Sequence, residues 1–184
     1  MDIETINDLS LLIYVKGSDT SLQPYLLAGH LDVVPVDEAC WKVPPFSGLL
    51  KDGYVHGRGA IDIKCIVMGV MEALEILLQI GFKPKRSFYI AFGHDEEVLG
   101  EDGAGHIAQT LRSRGVSQLA FVLDEGLAII KKAVPGVEKS VAMVGVTEKG
   151  FANVKLEVEL DDAGHSSMPP DDTAITILSK ALSK

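Results

Sequence analysis

The sequence predicts an α/β fold, a sheet with parallel strands covered by helices on both faces, and three observations point there. Phe88 to Phe92 and Leu119 to Leu123 are short continuous apolar runs, the pattern of strands buried on both faces. Gly105 to Arg114 lies between them and reads as a crossover helix, which gives the order β-α-β. Ile63 to Ile80 carries Glu72, Glu75 and Gln79 on one stripe with apolar residues almost everywhere else, so it is expected to be a helix buried over most of its circumference.

The elements follow in order. Met1 to Ser10 is acidic and polar, with no basic start before an apolar stretch, so no secretory signal is visible. Leu11 to Val15 and Tyr25 to Ala28 read as short strands joined through the Gly17-Ser18-Asp19 turn region. Pro35, Pro44 and Pro45 make Pro35 to Phe46 a loop. The long helix closes at Gly81, and Pro84 prevents its restart. Near residue 150 the pattern changes. Val154, Leu156, Val158 and Leu160 alternate with Lys155, Glu157 and Glu159, which is period two and predicts a strand with one wet face. A turn at Gly164-His165-Ser166-Ser167 follows, then a helix over Asp171 to Ser183 with an acidic start. The expected division is therefore residues 1–149 and 150–184, the second part being too small to close a core of its own.

Composition narrows the function classes. The 184 residues are 47% hydrophobic and 23% charged, which is globular. Acidic residues number 26 against 17 basic, a net charge of −9. That balance disfavours nucleic acid, where Lys and Arg must neutralise phosphates, and adhesion to an anionic membrane. No apolar run reaches the roughly 18 to 20 residues of a spanning helix. Cys40 and Cys65 are too few and too far apart for a disulfide framework or a thiolate metal site, and are read as packing thiols. The Gly57-Arg58-Gly59 loop lacks the Lys-Ser/Thr ending of a phosphate loop.

Polar groups gather where the strands end. His30 and Asp32 follow one strand, Asp95, Glu96 and Glu97 a second, and Asp124 and Glu125 a third; Asp62 sits in a Gly-rich loop at the mouth of the long helix. In open α/β sheets that edge is the ligand crevice. Carboxylates crowded there repel one another, and a divalent cation resolves the conflict. One imidazole with several carboxylates suits zinc, cobalt or manganese. His56, His94 and His106 are expected to be surface or structural residues.

Five motifs in order, His30-Leu31-Asp32-Val33-Val34-Pro35, Gly57-Arg58-Gly59-Ala60-Ile61-Asp62-Ile63-Lys64, His94-Asp95-Glu96-Glu97, Leu123-Asp124-Glu125-Gly126 and Gly164-His165-Ser166-Ser167-Met168-Pro169, resemble the M20 family of dinuclear zinc peptidases and amidohydrolases. Pro44-Pro45-Phe46-Ser47-Gly48 and Ser87 to Glu97 look most like the branch that contains carboxypeptidase S and the N-fatty-acyl-amino-acid synthase/hydrolases. The resemblance implies a zinc-hydrolase sheet followed by the start of a smaller α+β lid and dimerisation domain. It implies two zinc ions, with His30 and Asp124 on one, Asp62 bridging, Glu97 on the other, and Glu125 turned away. Asp32 would orient His30, Glu96 would move the proton between the attacking water and the leaving amine, and His165 would stabilise the oxyanion from the lid.

The implied substrate is an N-acyl amino acid or short peptide, hydrolysed or in the reverse sense condensed, and the implied assembly is a homodimer through the lid. The branch implies a secreted or vacuolar location. The family also uses a late histidine on the second zinc. Nothing after His165 fills that role, so the chain is expected to be a fragment of a longer enzyme. The alternative expectation is a non-catalytic remnant that binds one metal or pairs with a full-length relative through its lid strand.

Overall fold

One five-stranded mixed sheet carries the core, its strands in the spatial order Asp2–Ile6, Ser10–Val15, Phe88–Gly93, Tyr25–His30 and Val122–Leu123. The computed structural model describes residues 1–126, 129–147, 149–160, 164–165 and 167–183. The strands are β1 (Asp2–Ile6), β2 (Ser10–Val15), β3 (Tyr25–His30), β6 (Phe88–Gly93) and β7 (Val122–Leu123). β3 runs parallel to β6 and to β7, while β2 runs antiparallel to β6 and to β1. The two strands expected to follow one another, β2 and β3, are thus separated by β6, which pairs with both.

β6 is central because every residue in it can be buried. Phe88, Ile90 and Phe92 face one side with Ile13, Val15, Val67 and Leu74, the last two from helix α1 (Cys65–Gln79). Tyr89 and Ala91 face the other side with Ile6, Leu12, Ile107 and Leu111, the last two from helix α2 (His106–Ser113). Helices therefore cover both faces, and the α/β expectation holds. Tyr25 stacks between Phe88 and Phe121, at ring separations of 4.9 and 4.8 Å.

The helix ends follow their sequence signals. Gly81 takes φ +70, and the Gly81 and Phe82 N–H groups close the last turn of α1 on Leu78 and Leu77 carbonyls. A hairpin of β4 (Leu49–Lys51) and β5 (Tyr54–His56) was not anticipated. Its signal was present in Asp52-Gly53, which turn with φ of 53 and 81. A short ladder of β8 (Ile130–Lys131) and β9 (Ser140–Val141) completes the strands.

Four expectations need correction. α1 is not buried over most of its circumference: Met68, Ile76 and Leu78 are 55, 58 and 52% exposed, because one sheet face covers only one side of a helix. The Leu119–Leu123 run yields only two strand residues at the sheet's edge, with Val122 and Leu123 exposed, since an edge strand has a neighbour on one side only. Residues 151–160 form no ladder among the described residues; alternation alone supplies no partner for a strand's N–H and C=O groups. Cys40 and Cys65 are exposed and not packed: Cys40 lies on the Pro-rich loop, and Cys65 opens α1 with its thiol donating to the Ile61 carbonyl.

The chain divides into two compact units, Met1–Val144 and Gly145–Lys184. In the second, α3 (Ala174–Leu182) is opened by a capping box in which Thr173 and Thr176 exchange side-chain and backbone hydrogen bonds. Ser166, within the expected turn, lies outside the described residues.

Candidate metal centre

His30 ends β3 opposite Gly93 of β6 and is 2% exposed. Its ring is fixed from both sides. Nδ1 lies 3.0 Å from the Asp32 carbonyl oxygen and donates to it, and the Asp32 carboxylate lies 3.3 Å from the same nitrogen. In the neutral ring that leaves Nε2 with its lone pair, and in the protonated ring Nε2 donates to Asp62. Nε2 faces three carboxylates: Asp62 at 3.1 Å, Glu125 at 3.2 Å and Glu96 at 3.7 Å.

Each carboxylate arrives on a different element. Asp62 lies in the irregular turn Ala60–Lys64, where it and Ile63 depart from helical angles. Glu96 follows β6 in a short turn whose shape is set by Asp95. The Asp95 carboxylate accepts the N–H groups of Asp102 and Gly103, each at 2.8 Å. A Cβ on Gly103 would lie 2.5 Å from Asp95 Oδ1, so a side chain there would break that bracket. His94, just before, meets the fully buried Ser10 hydroxyl at 2.7 Å. His56 and His106 approach carbonyl oxygens of Lys51 and Glu101. Glu125 follows β7.

The charges in this crevice are frustrated. Burial pushes the Glu96 and Glu125 carboxyls above their ordinary range, and the neighbouring carboxylates add to that while His30 opposes it. Burial opposes the protonated form of His30, but the Asp32 and Asp62 hydrogen bonds and the charges of Asp32 and Glu125 outweigh it and raise its pKa. Burial likewise works to raise Asp32, yet the N–H groups of Glu97 and Glu96 outweigh it and hold Asp32 low. Asp32 is thereby a stable anion behind the ring, with Oδ2 accepting the Glu97 N–H at 3.0 Å and Oδ1 buried without a hydrogen-bond partner.

His30, Asp62 and Glu125 offer one nitrogen and two oxygens within 4.8 Å of one another. A lone pair facing several carboxylates is repulsive until a cation sits among them, so this donor set fits a divalent metal. Of the residues singled out from the sequence, the structure brings together His30, Asp32, Asp62 and Glu96. Glu97 joins through its backbone. Asp124, expected as the ligand, is not in the three-residue group; it spends Oδ1 on the Glu125 N–H at 2.8 Å, and Glu125, expected to turn away, faces His30. Adjacent residues leaving a strand point in different directions, and the sequence carries no signal for which of this pair turns inward. His165 belongs to the unit Gly145–Lys184, where Nδ1 lies 2.8 Å from Ser167 Oγ and the carbonyl accepts the Met168 N–H.

The sequence profile of peptidase family M20/M25/M40 matches residues 26–184. The chain is 53% identical over 181 residues to the mouse N-fatty-acyl-amino acid synthase/hydrolase PM20D1, covering 98% of this chain and 36% of that protein. It is 47% identical over 188 residues to the probable carboxypeptidase S-like 2 of Dictyostelium discoideum, covering 100% of this chain and 36% of that protein. The chain thus spans about a third of the length of these relatives. Human carnosine dipeptidase 1 superposes with a TM-score of 0.56 at 25% identity, over 66% of this chain and 26% of its own. An M20 family metallo-carboxypeptidase from Sulfolobus solfataricus, at 22% identity and a TM-score of 0.51, covers 65% of this chain and 26% of its own and shares the fold. The chain belongs to peptidase family M20/M25/M40.

Proposed function

We propose that this chain is the metal-binding part of a zinc-dependent amidohydrolase whose substrates are N-acyl amino acids or short peptides cleaved next to a free carboxylate. One observation carries the reading: a single buried imidazole nitrogen faces three carboxylates delivered by three separate elements. The names of the mouse and Dictyostelium relatives support the substrate class. Hydrolysis and condensation are the two directions of one reaction, so both belong to the proposal.

His30 and Asp62 would hold the metal, with Glu97 and one of the pair Asp124 and Glu125. Motif resemblance favours Asp124 in that pair, and geometry favours Glu125. A divalent zinc there supplies Lewis acidity, polarising a carbonyl and making water easier to deprotonate. Glu96, whose pKa is raised by burial and by its acidic neighbours, is suited to take a proton from water and return it to the leaving amine. Asp32 keeps the His30 ring in the tautomer that leaves Nε2 open. His165 is proposed to stabilise the oxyanion and the unit that carries it to support a dimer, both in the longer protein.

A second reading has its own support. The donor atoms of His30, Asp62 and Glu125 cluster around one point, and Glu97 is not in that group. This chain alone would then hold one ion and turn over poorly. Elemental mass spectrometry on the purified chain separates the two. Two zincs per chain, with N-acyl amino acid hydrolysis lost in Glu96→Gln while zinc is kept, support the full proposal. One zinc and no turnover support the single-ion reading, and no zinc sinks both.

A further inference from the structure

His30 is fixed by its strand, because β3 is paired along its length and the Leu31 N–H continues the pairing to the Gly93 carbonyl. Asp62 has no such frame, since it lies in a turn with non-helical angles. Two neighbours of Asp62 supply what the turn lacks. Ile63 is 5% exposed, and its Cδ1 approaches to 3.4 Å of where a Cβ on Gly29 would lie, which packs the turn onto β3 one residue before His30. Lys64 does the rest. Its backbone N–H donates to the Gly59 carbonyl at 2.8 Å, its stem lies along Gly59, and its ammonium donates to the Leu31 carbonyl at 2.5 Å. Gly59 makes this route possible: at φ +87, with Val33 Cγ1 only 2.7 Å from the place a Cβ would take, nothing larger fits between the two segments.

The Lys64 side chain therefore bridges the Asp62 turn to the peptide between His30 and Asp32. It touches neither His30 Nε2 nor the carboxylates facing it, and an amine would compete poorly as a ligand while protonated. We propose that Lys64 is a positioning residue whose bond to the Leu31 carbonyl sets the separation of His30 and Asp62. The proposal rests on the reading of these two residues as metal ligands for its consequence, but the bridge itself is a property of the metal-free chain.

The test uses the full chain and two variants. Lys64→Met keeps the stem over Gly59 and removes the donor, and Lys64→Arg keeps a cationic donor. Amide hydrogen exchange on the metal-free proteins is expected to be about tenfold faster in Lys64→Met over residues 29–33 and 59–64, with β2 and β6 unchanged, and restored in Lys64→Arg. Zinc and cobalt titrations are expected to show affinity about 10- to 100-fold lower in Lys64→Met, with an altered cobalt absorption band, and recovery in Lys64→Arg. Unchanged exchange in Lys64→Met overturns the bridge. Faster exchange with unchanged metal affinity overturns its positioning role. A wild-type chain that takes up neither metal overturns the metal reading and the positioning role together, while the exchange result still decides the bridge.

Discussion

At the scale of the residue, the centre depends on opposed groups held close together. Asp62 is 61% exposed on its side chain, so Asp62→Asn removes a charge without opening the core. Zinc affinity is expected to fall by at least about tenfold while the far-ultraviolet dichroism and the melting temperature stay within error. A parallel loss of fold would show that the residue is structural. The Asp124 and Glu125 pair calls for a double variant, because either side chain can turn inward when the other is removed. Asp124→Asn with Glu125→Gln is expected to abolish tight uptake, and the single variants then apportion the role; a double variant that binds like wild type removes this strand end from the site. His30, Asp62 and Glu96 were legible in the sequence because each follows a strand or a Gly-rich loop that could be recognised in advance. The orientation of Glu125 was not, since the side-chain alternation after a two-residue strand depends on where the backbone leaves the ladder. Asp95 appeared only as one acid among several, and its work as a bracket for Asp102 and Gly103 needed the loop's return path to be seen.

At the scale of the element, β6 is the member on which the others are assembled. Ile90 is fully buried, so Ile90→Ala is expected to cost about 2–5 kcal/mol in urea unfolding; a loss under about 1 kcal/mol would mean that the two helical layers hold without it. Gly17 is a sharper probe. A Cβ there would lie 2.4 Å from the Lys85 carbonyl oxygen, and the Gly17 N–H donates to the buried Ser87 hydroxyl. Gly17→Ala is expected to lower stability by about 1–3 kcal/mol, and a neutral effect in the same assay would show that the entry to β6 gives way easily. The β6 apolar run was legible because burial on both faces writes itself into sequence, and α2 because it lies between two such runs. β1 was not, because four of its five residues are exposed and its pattern reads as a polar terminus. The 151–160 alternation misled for the converse reason: the sequence pattern prepares one face, but a strand exists only with a partner.

At the scale of the whole molecule, apolar surface is left open on the first unit. A groove of about 430 Å³ runs between α1 and the sheet, lined by Tyr25, Leu27, Val70, Leu77 and Leu123 among others, and Leu123 is 57% exposed. The chain is expected to bind a hydrophobic dye and to self-associate with rising concentration in sedimentation velocity, and Leu77→Lys with Leu123→Lys is expected to reduce both. A strictly monomeric wild type that leaves the dye dark would show that this surface closes on itself. No described helix is long and apolar enough to cross a membrane. The order of the sheet has a further consequence, in time and not in space. β2 and β3 flank β6 in the finished sheet, yet both precede it in the chain by many tens of residues. During synthesis the first 87 residues emerge before their common partner exists. The nascent chain then carries β3 without a partner and β2 paired on one side only, to β1, and a long loop must close before the sheet is joined. Cotranslational folding is thus held until residues 88–93 clear the exit tunnel, and this is the interval in which a chaperone has the most to bind.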